Sequence, residues 1–128
     1  WAIQKAGQKL YQDNPSGTAL SRLSGDRLTE IDAQMVFQAM RSGDPGATRI
    51  IHAGVDKLGV ALSNAINLLD PAIIVIGGGI SKSLPVFRER LNHCLKANVI
   101  RSIYAHINIR QATLQGKETL IGAAVLQE

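Results

Sequence analysis

The hydrophobic positions of the chain recur at steps of three and four residues over one long stretch, which predicts a helix over 46–69. Its apolar positions are Ile51, Val55, Leu58, Leu62, Ala65 or Ile66, and Leu69. Pro45 suits the first turn, and Asp70-Pro71 ends the pattern. Gly54 and Gly59 inside it cost about 1 kcal/mol each against Ala, so we expect another element to pack closely there. The stripe itself fits a core or a subunit interface.

Two shorter helices are predicted before it. The first covers 1–13 and is broken by the Asn-Pro-Ser-Gly stretch at 14–17. The second carries Ile31, Met35, Val36 and Met40, and Thr29 is its expected N-cap. We expect Asp44 to cap the long helix that follows.

The second half of the chain predicts alternating strands and helices. The run 72–76 is apolar and β-branched, as in a strand covered on both faces, and 106–111 alternates with Ile107 and Ile109 on one side. Between them Ser83 and Pro85 start a helix, and 117–127 predicts a closing helix. The order β–α–β–α favours a parallel α/β unit. Because two strands alone are rarely stable, we expect more of the sheet from upstream sequence or another subunit.

Three glycines, Gly77, Gly78 and Gly79, follow the first predicted strand and precede a helix. Glycines at the carboxyl end of a buried strand let the backbone approach a ligand, because no Cβ intervenes. The N-terminus of the following helix adds N–H groups and partial positive charge, which suit phosphate or a polar nucleotide edge. The pattern indicates a nucleotide-binding lobe, although such a triplet also serves as a plain turn.

Composition narrows the class of protein. The chain has 128 residues, 45% of them hydrophobic and 19% charged, and a net charge of +4. Its lysines and arginines are scattered rather than arranged in a stripe with aromatic residues, which disfavours direct nucleic-acid binding. No signal peptide and no apolar run of about 20 residues is present, so we expect a cytoplasmic protein without membrane contact.

The cysteine, histidine and serine residues lack the sequence spacing that a metal site or a catalytic nucleophile requires. The lone Cys94 falls on the apolar side of a predicted helix, which favours a buried structural thiol. No zinc-type spacing joins the histidines, and no nucleophile-elbow context surrounds the serines, so no metal ligand and no catalytic residue is assigned. These residues are His52, His93, His106, Ser21, Ser24 and Ser63. Asn64 and Asn67 fit a ligand contact, although local hydrogen bonding is the favoured interpretation, and Asp70 fits a turn.

Three sequence blocks together resemble the ROK family of bacterial sugar kinases and sugar-responsive repressors. Residues 67–79 (NLLDPAIIVIGGG) resemble its C-terminal lobe, 42–47 (SGDPGA) the opening of its long helix, and 120–124 (LIGAA) its closing helix. The blocks keep the family's order over about 29–127. The resemblance therefore covers most of the chain.

The resemblance implies an α/β fold, the C-terminal part of an actin-like (ribonuclease H-like) ATPase lobe with parallel strands flanked by helices. We expect 1–128 to be a single partial domain, with 1–45 a helical lead-in and 46–128 the long helix plus the β–α–β–α core. In the complete protein the family implies ATP with Mg²⁺, a sugar substrate, a zinc site upstream and a homo-oligomer. The catalytic Asp and the phosphate-binding turn would also lie upstream, so this segment alone is expected to be inactive.

By the same resemblance, Gly77, Gly78 and Gly79 match the adenosine-contacting motif, with Ile80 and Ser81 at its rim. Family kinases commonly carry Gly-x-Asp-Ala-Gly before the closing helix, whereas 115–119 here read QGKET. That departure leaves a repressor as the alternative, which would bind DNA through an upstream domain. A segment that serves only for self-association is a third possibility.

Overall fold

The computed structural model describes residues 1–79 and 81–113, which form two compact units, Trp1–Leu58 and a second that begins at Gly59. The helices are α1 (Ala2–Asp13), α2 (Leu20–Ser24), α3 (Ala33–Arg41), α4 (Pro45–Leu69), α5 (Leu84–Asn98) and α6 (Arg101–Tyr104). The strands are β1 (Ile73–Ile76) and β2 (Asn108–Gln111), and short 3₁₀ turns cover Pro15–Gly17, Leu28–Glu30 and Ser81–Ser83. The single partial domain over 1–128 stays a prediction.

The first unit packs α1, α2 and α3 around an aliphatic core. Its fully buried side chains include Leu20, Ile31, Val36 and Ile51. The helices predicted over 1–13 and around Met35 are confirmed, but the prediction of Thr29 as N-cap is wrong. Thr29 lies in the 3₁₀ turn, and Asp32 caps α3 by accepting a 2.8 Å hydrogen bond from the Met35 N–H. The helix begins later because extended backbone at Asp32 follows that turn.

Asp44 caps α4, as predicted, and also accepts hydrogen bonds from the two residues before α2. One carboxylate oxygen, Oδ1, accepts hydrogen bonds from the N–H groups of Gly46 (2.8 Å) and Ala47 (3.0 Å). The other, Oδ2, accepts from the Ala19 N–H (2.7 Å) and the Thr18 hydroxyl (2.5 Å). Burial by itself would raise the pKa of Asp44, but these hydrogen bonds outweigh it and hold the pKa below its ordinary value.

The buried face of α4 is confirmed in part. Ile51, Val55 and Ile66 are buried, whereas Leu58 and Leu69, expected on the same face, are 38% and 71% exposed. In the second unit the face passes instead through two small residues, Gly59 and Ser63. A Cβ at Gly59 would lie 2.5 Å from Cys94 Sγ on α5. The predicted close approach therefore occurs at Gly59, where a larger residue would collide with Cys94.

The second unit contains the predicted parallel strand pair. β1 and β2 pair in parallel, with Ile73 opposite Asn108 and Ile76 opposite Gln111, and α5 connects them. Ser83 is the residue before α5 and Pro85 lies in its first turn, as predicted. The closing helix predicted over 117–127 lies outside the described residues.

One face of β1 is open to solvent. Ile73 and Val75 are 50% and 62% exposed, so the prediction of a strand covered on both faces is wrong for the described part of the chain. The apolar side of α5 is buried through Leu84, Phe87, Leu91 and Leu95. Completion of the sheet by upstream sequence or another subunit stays a prediction.

Candidate functional site

The glycine triplet lies at the carboxyl end of β1, on the surface. All three glycines are exposed. The end of β2 lies beside them, where the Ala112 N–H donates a 2.9 Å hydrogen bond to the Ile76 carbonyl. Because β1 and β2 are parallel, both carboxyl ends meet at this edge, which is where open α/β sheets bind ligands.

The three glycines differ in whether the structure requires glycine at their position. A Cβ at Gly77 would lie 3.6 Å from the Ala112 Cβ, which is ordinary contact. Gly78 has a φ of +79°, in the left-handed region that disfavours other residues. Gly79 has no such constraint, and a Cβ there would meet no atom of residues 1–79 or 81–113 within 4 Å. The backbone conformation thus accounts for glycine at 78, whereas nothing among the described residues requires glycine at 79.

Ser81 makes the hydrogen bonds that close the glycine turn. The residue as a whole is only 6% exposed. Its hydroxyl donates a 2.7 Å hydrogen bond to the Gly78 carbonyl, and its backbone N–H donates to the same oxygen at 3.1 Å. The hydroxyl expected at the rim is therefore engaged inside the turn. Ile80 lies outside the described residues.

The chemistry of the turn is that of a binding surface. Residues 77–83 read GGGISKS and contain no carboxylate, imidazole or thiol that could exchange a proton near neutral pH. Lys82 is exposed and is the cation of this segment. Backbone N–H groups, backbone carbonyls and one ammonium group can hold a polar ligand, but they cannot act as a general base.

The polar candidates Asn67 and Asp70 contact residues that are distant in sequence. The Asn67 amide donates to the Asn98 carbonyl (3.0 Å) and accepts from the Ile100 N–H (2.9 Å). These partners lie 31 and 33 positions away in sequence, so the expectation of local hydrogen bonding is wrong for Asn67. Asp70, with a φ of +44°, occupies the predicted turn. Its Oδ1 lies 3.0 Å from His106 Nε2, a contact between distant residues that no sequence spacing signalled.

Residues 1–79 and 81–113 contain neither a metal-type cluster nor a membrane-spanning helix. That part of the chain holds no group of three His, Cys, Asp or Glu side chains placed to bind a metal ion. Cys94 is half-buried rather than fully buried, and its Sγ lies 3.6 Å from the Asn98 amide nitrogen. Over the same residues, no helix combines the length and apolarity that crossing a bilayer would need.

Comparison with solved structures defines the class of fold. The structure superposes on a ROK family glucokinase from Streptomyces griseus, solved in complex with glucose and AMPPNP, with a TM-score of 0.78 and 26% identity. The match covers 98% of this chain and 41% of that one. The fold is thus the C-terminal part of an actin-like sugar-kinase fold, as predicted.

The family model for the ROK family matches residues 8–128, and the chain belongs to the ROK family. Its relatives include the N-acetyl-D-glucosamine kinase of Pasteurella multocida, 30% identical over 87% of this chain and 36% of that protein. They also include a putative xylose repressor of Caldicellulosiruptor sp. (strain Rt8B.4), 24% identical over 87% of this chain and 28% of that protein. The chain spans roughly a third of the length of these curated relatives.

Proposed function

We propose that the complete protein is an ATP-dependent sugar kinase and that this segment forms the adenosine side of its cleft. The observation that carries the proposal is the exposed glycine turn at the carboxyl end of β1, where no atom of residues 1–79 or 81–113 would lie within 4 Å of a Cβ at Gly79. Family membership supports it, as does the similarity to a glucokinase solved with AMPPNP. A ligand with a flat polar edge can approach the backbone there because glycine itself carries no side chain.

In this proposal the residues of the chain bind and do not catalyse. Gly77, Gly78 and Gly79 approach the adenine and ribose, Ile80 borders the ligand, and Ser81 supports the glycine turn from inside it. ATP with Mg²⁺ supplies the γ-phosphoryl group, which is transferred to a sugar hydroxyl. The general base, the phosphate-binding turn and the zinc site would lie in other parts of the protein. We therefore expect no sugar phosphorylation by these 128 residues alone.

The proposal is tested by adding a side chain at Gly79. Gly79→Val, in the whole protein, adds a branched side chain at a position where residues 1–79 and 81–113 offer no obstacle to a Cβ. We expect the Kd for ATP·Mg²⁺ in titration calorimetry to rise at least about tenfold, which corresponds to 1.4 kcal/mol. Ala72→Val, which adds bulk at the exposed residue before β1, is the matched control and should bind ATP normally. Unchanged ATP affinity in Gly79→Val would contradict the proposal.

A sugar-responsive repressor is the second candidate. Two observations favour it: the QGKET sequence at 115–119, which lies outside the described residues, and a relative described as a putative xylose repressor. An assay of ADP release with a panel of sugars separates the candidates. A kinase releases ADP with its sugar, whereas a repressor binds the sugar without consuming ATP.

Assembly and location follow from the same proposal. We propose a cytoplasmic homo-oligomer whose partners are the sugar and ATP, with DNA bound only in the repressor alternative and through another domain. Sedimentation of the chain with and without ATP tests self-association. A monomer at all concentrations would contradict an oligomer interface within this segment.

A further inference from the structure

Ser81 has an environment unlike that of a residue at the rim of a ligand site. Only 6% of the surface of Ser81, side chain and backbone together, is accessible to solvent. Both of its donors, the hydroxyl at 2.7 Å and the N–H at 3.1 Å, reach one acceptor, the Gly78 carbonyl. Its polar group thus acts on the glycine turn itself.

The two hydrogen bonds fix the orientation of one peptide plane. The peptide joining Gly78 to Gly79 is trans, so its carbonyl and its N–H point in opposite directions. Because the Gly78 carbonyl is directed at Ser81, the Gly79 N–H is directed away from Ser81. Gly79 is exposed on the surface, so this donor is offered to the outside of the turn.

The backbone bond alone leaves this plane loosely held. Consecutive glycines have wide access to φ and ψ, and a single three-residue turn is easily distorted. The hydroxyl adds a second, shorter restraint, and it comes from a residue that is itself buried. A peptide plane held in advance loses less conformational freedom when a ligand binds.

We infer that Ser81 is a positioning residue, whose hydroxyl aims the Gly79 N–H at an acceptor atom on the adenosine part of the nucleotide. The inference rests on the proposed function and adds separate roles for Gly79 and Ser81. Gly79 contacts the nucleotide, and Ser81 acts through Gly78 without touching it.

The test compares two serines in the whole protein. Ser81→Ala removes the hydroxyl, and Ser83→Ala is the matched control, because the Ser83 side chain makes no capping hydrogen bond to α5. We expect the Kd for ATP·Mg²⁺ and for adenosine to rise about fivefold in Ser81→Ala, the effect of one hydrogen bond. Binding of inorganic triphosphate, the KM for the sugar and kcat at saturating ATP should stay unchanged. Ser81→Thr, which keeps the hydroxyl, should restore adenosine affinity to within about twofold of the original.

The outcomes separate this inference from the function on which it rests. If the unaltered protein binds neither ATP nor adenosine, the proposed function fails and the inference fails with it. If the unaltered protein binds both and Ser81→Ala binds them equally well, the function stands and the role of Ser81 is wrong. A loss of triphosphate binding and sugar affinity alongside adenosine, with a lowered Tm, would show general damage and would also overturn it.

Discussion

The Thr18 hydroxyl donates a 2.5 Å hydrogen bond to Asp44 Oδ2 across 26 positions of sequence. Thr18 and Asp44 are 7% and 6% exposed. With three backbone N–H groups also directed at the carboxylate, Asp44 joins the start of α4 to the segment that begins α2. A residue predicted as a helix cap is therefore also a link within the first unit.

Removing the Asp44 carboxylate should be costly. Asp44→Ala leaves four donors without their acceptor, so we expect a loss of about 2–4 kcal/mol in the free energy of unfolding. Asp32→Ala is the matched control, because Asp32 is an exposed N-cap with one hydrogen bond to the Met35 N–H. It should cost about 1 kcal/mol. Urea denaturation measures both, and equal costs would contradict the linking role.

The stability that Asp44 confers should depend on acid pH. The pKa of Asp44 is held below the ordinary value of 3.8 by its hydrogen bonds, so folding favours the charged form. Its contribution is complete above that value and is lost as the pH falls through the lower pKa of the folded state. The stability difference from Asp44→Asn, which cannot titrate, should thus be constant above about pH 5 and shrink below 3.8. Urea denaturation as a function of pH gives the comparison, and a constant difference down to pH 2 would count against it.

Two glycines of α4 should respond in opposite ways to a methyl group. A Cβ at Gly59 would lie 2.5 Å from Cys94 Sγ, so Gly59→Ala should destabilise the fold by about 1–3 kcal/mol through overpacking. At Gly54 the nearest atom, on Ile3, would be 3.9 Å away, so Gly54→Ala should stabilise by up to about 1 kcal/mol. Thermal unfolding with calorimetry distinguishes them.

The Gly59 contact has an internal check. Adding Cys94→Ala removes the Sγ and should recover part of the loss in Gly59→Ala, although the Cβ of residue 94 remains 2.8 Å from the new methyl group. Purely additive effects of the two substitutions would show that the contact is absent.

The Asn67 side chain should hold the end of α4 to the turn after α5. Its amide makes two hydrogen bonds, to the Asn98 carbonyl and from the Ile100 N–H. Asn67→Ala should therefore cost about 1–2 kcal/mol in the free energy of unfolding. Asn64→Ala, an exposed position one turn earlier on the same helix, should change it by less than about 0.5 kcal/mol. Equal effects at the two positions would contradict the role of Asn67 in holding the end of α4 to the turn after α5.

Local sequence signals predicted much of the fold. Pro45 and Asp70-Pro71 bound α4, and the apolar runs of the second half gave β1, α5 and β2 in parallel order. These succeed because prolines, caps and hydrophobic periodicity act within a few residues of themselves. Thr29 failed because two cap residues stand close together in the chain, and the choice between them depends on how the intervening turn packs.

The candidate site, like the fold, was predicted from the sequence only in part. The glycine triplet was visible in the sequence because glycine is the residue that a left-handed turn and close approach require. The inward direction of the Ser81 hydroxyl, the neighbouring Ala112 and the contact of Asp70 with His106 had no such signal. Each depends on which backbone groups face one another once the elements are packed.

The sequence by itself determined the approximate positions of α1, α3, α4, α5, β1 and β2, which end of β1 carries glycine and which family the chain resembles, since these depend on residue type and local spacing. Only the tertiary structure decided that α4 buries Gly59 where Leu58 was expected and that Asp44 reaches Thr18. Both outcomes follow from the distance between elements that are far apart in the chain. That distance is set by the packing of many side chains together, which no local pattern encodes.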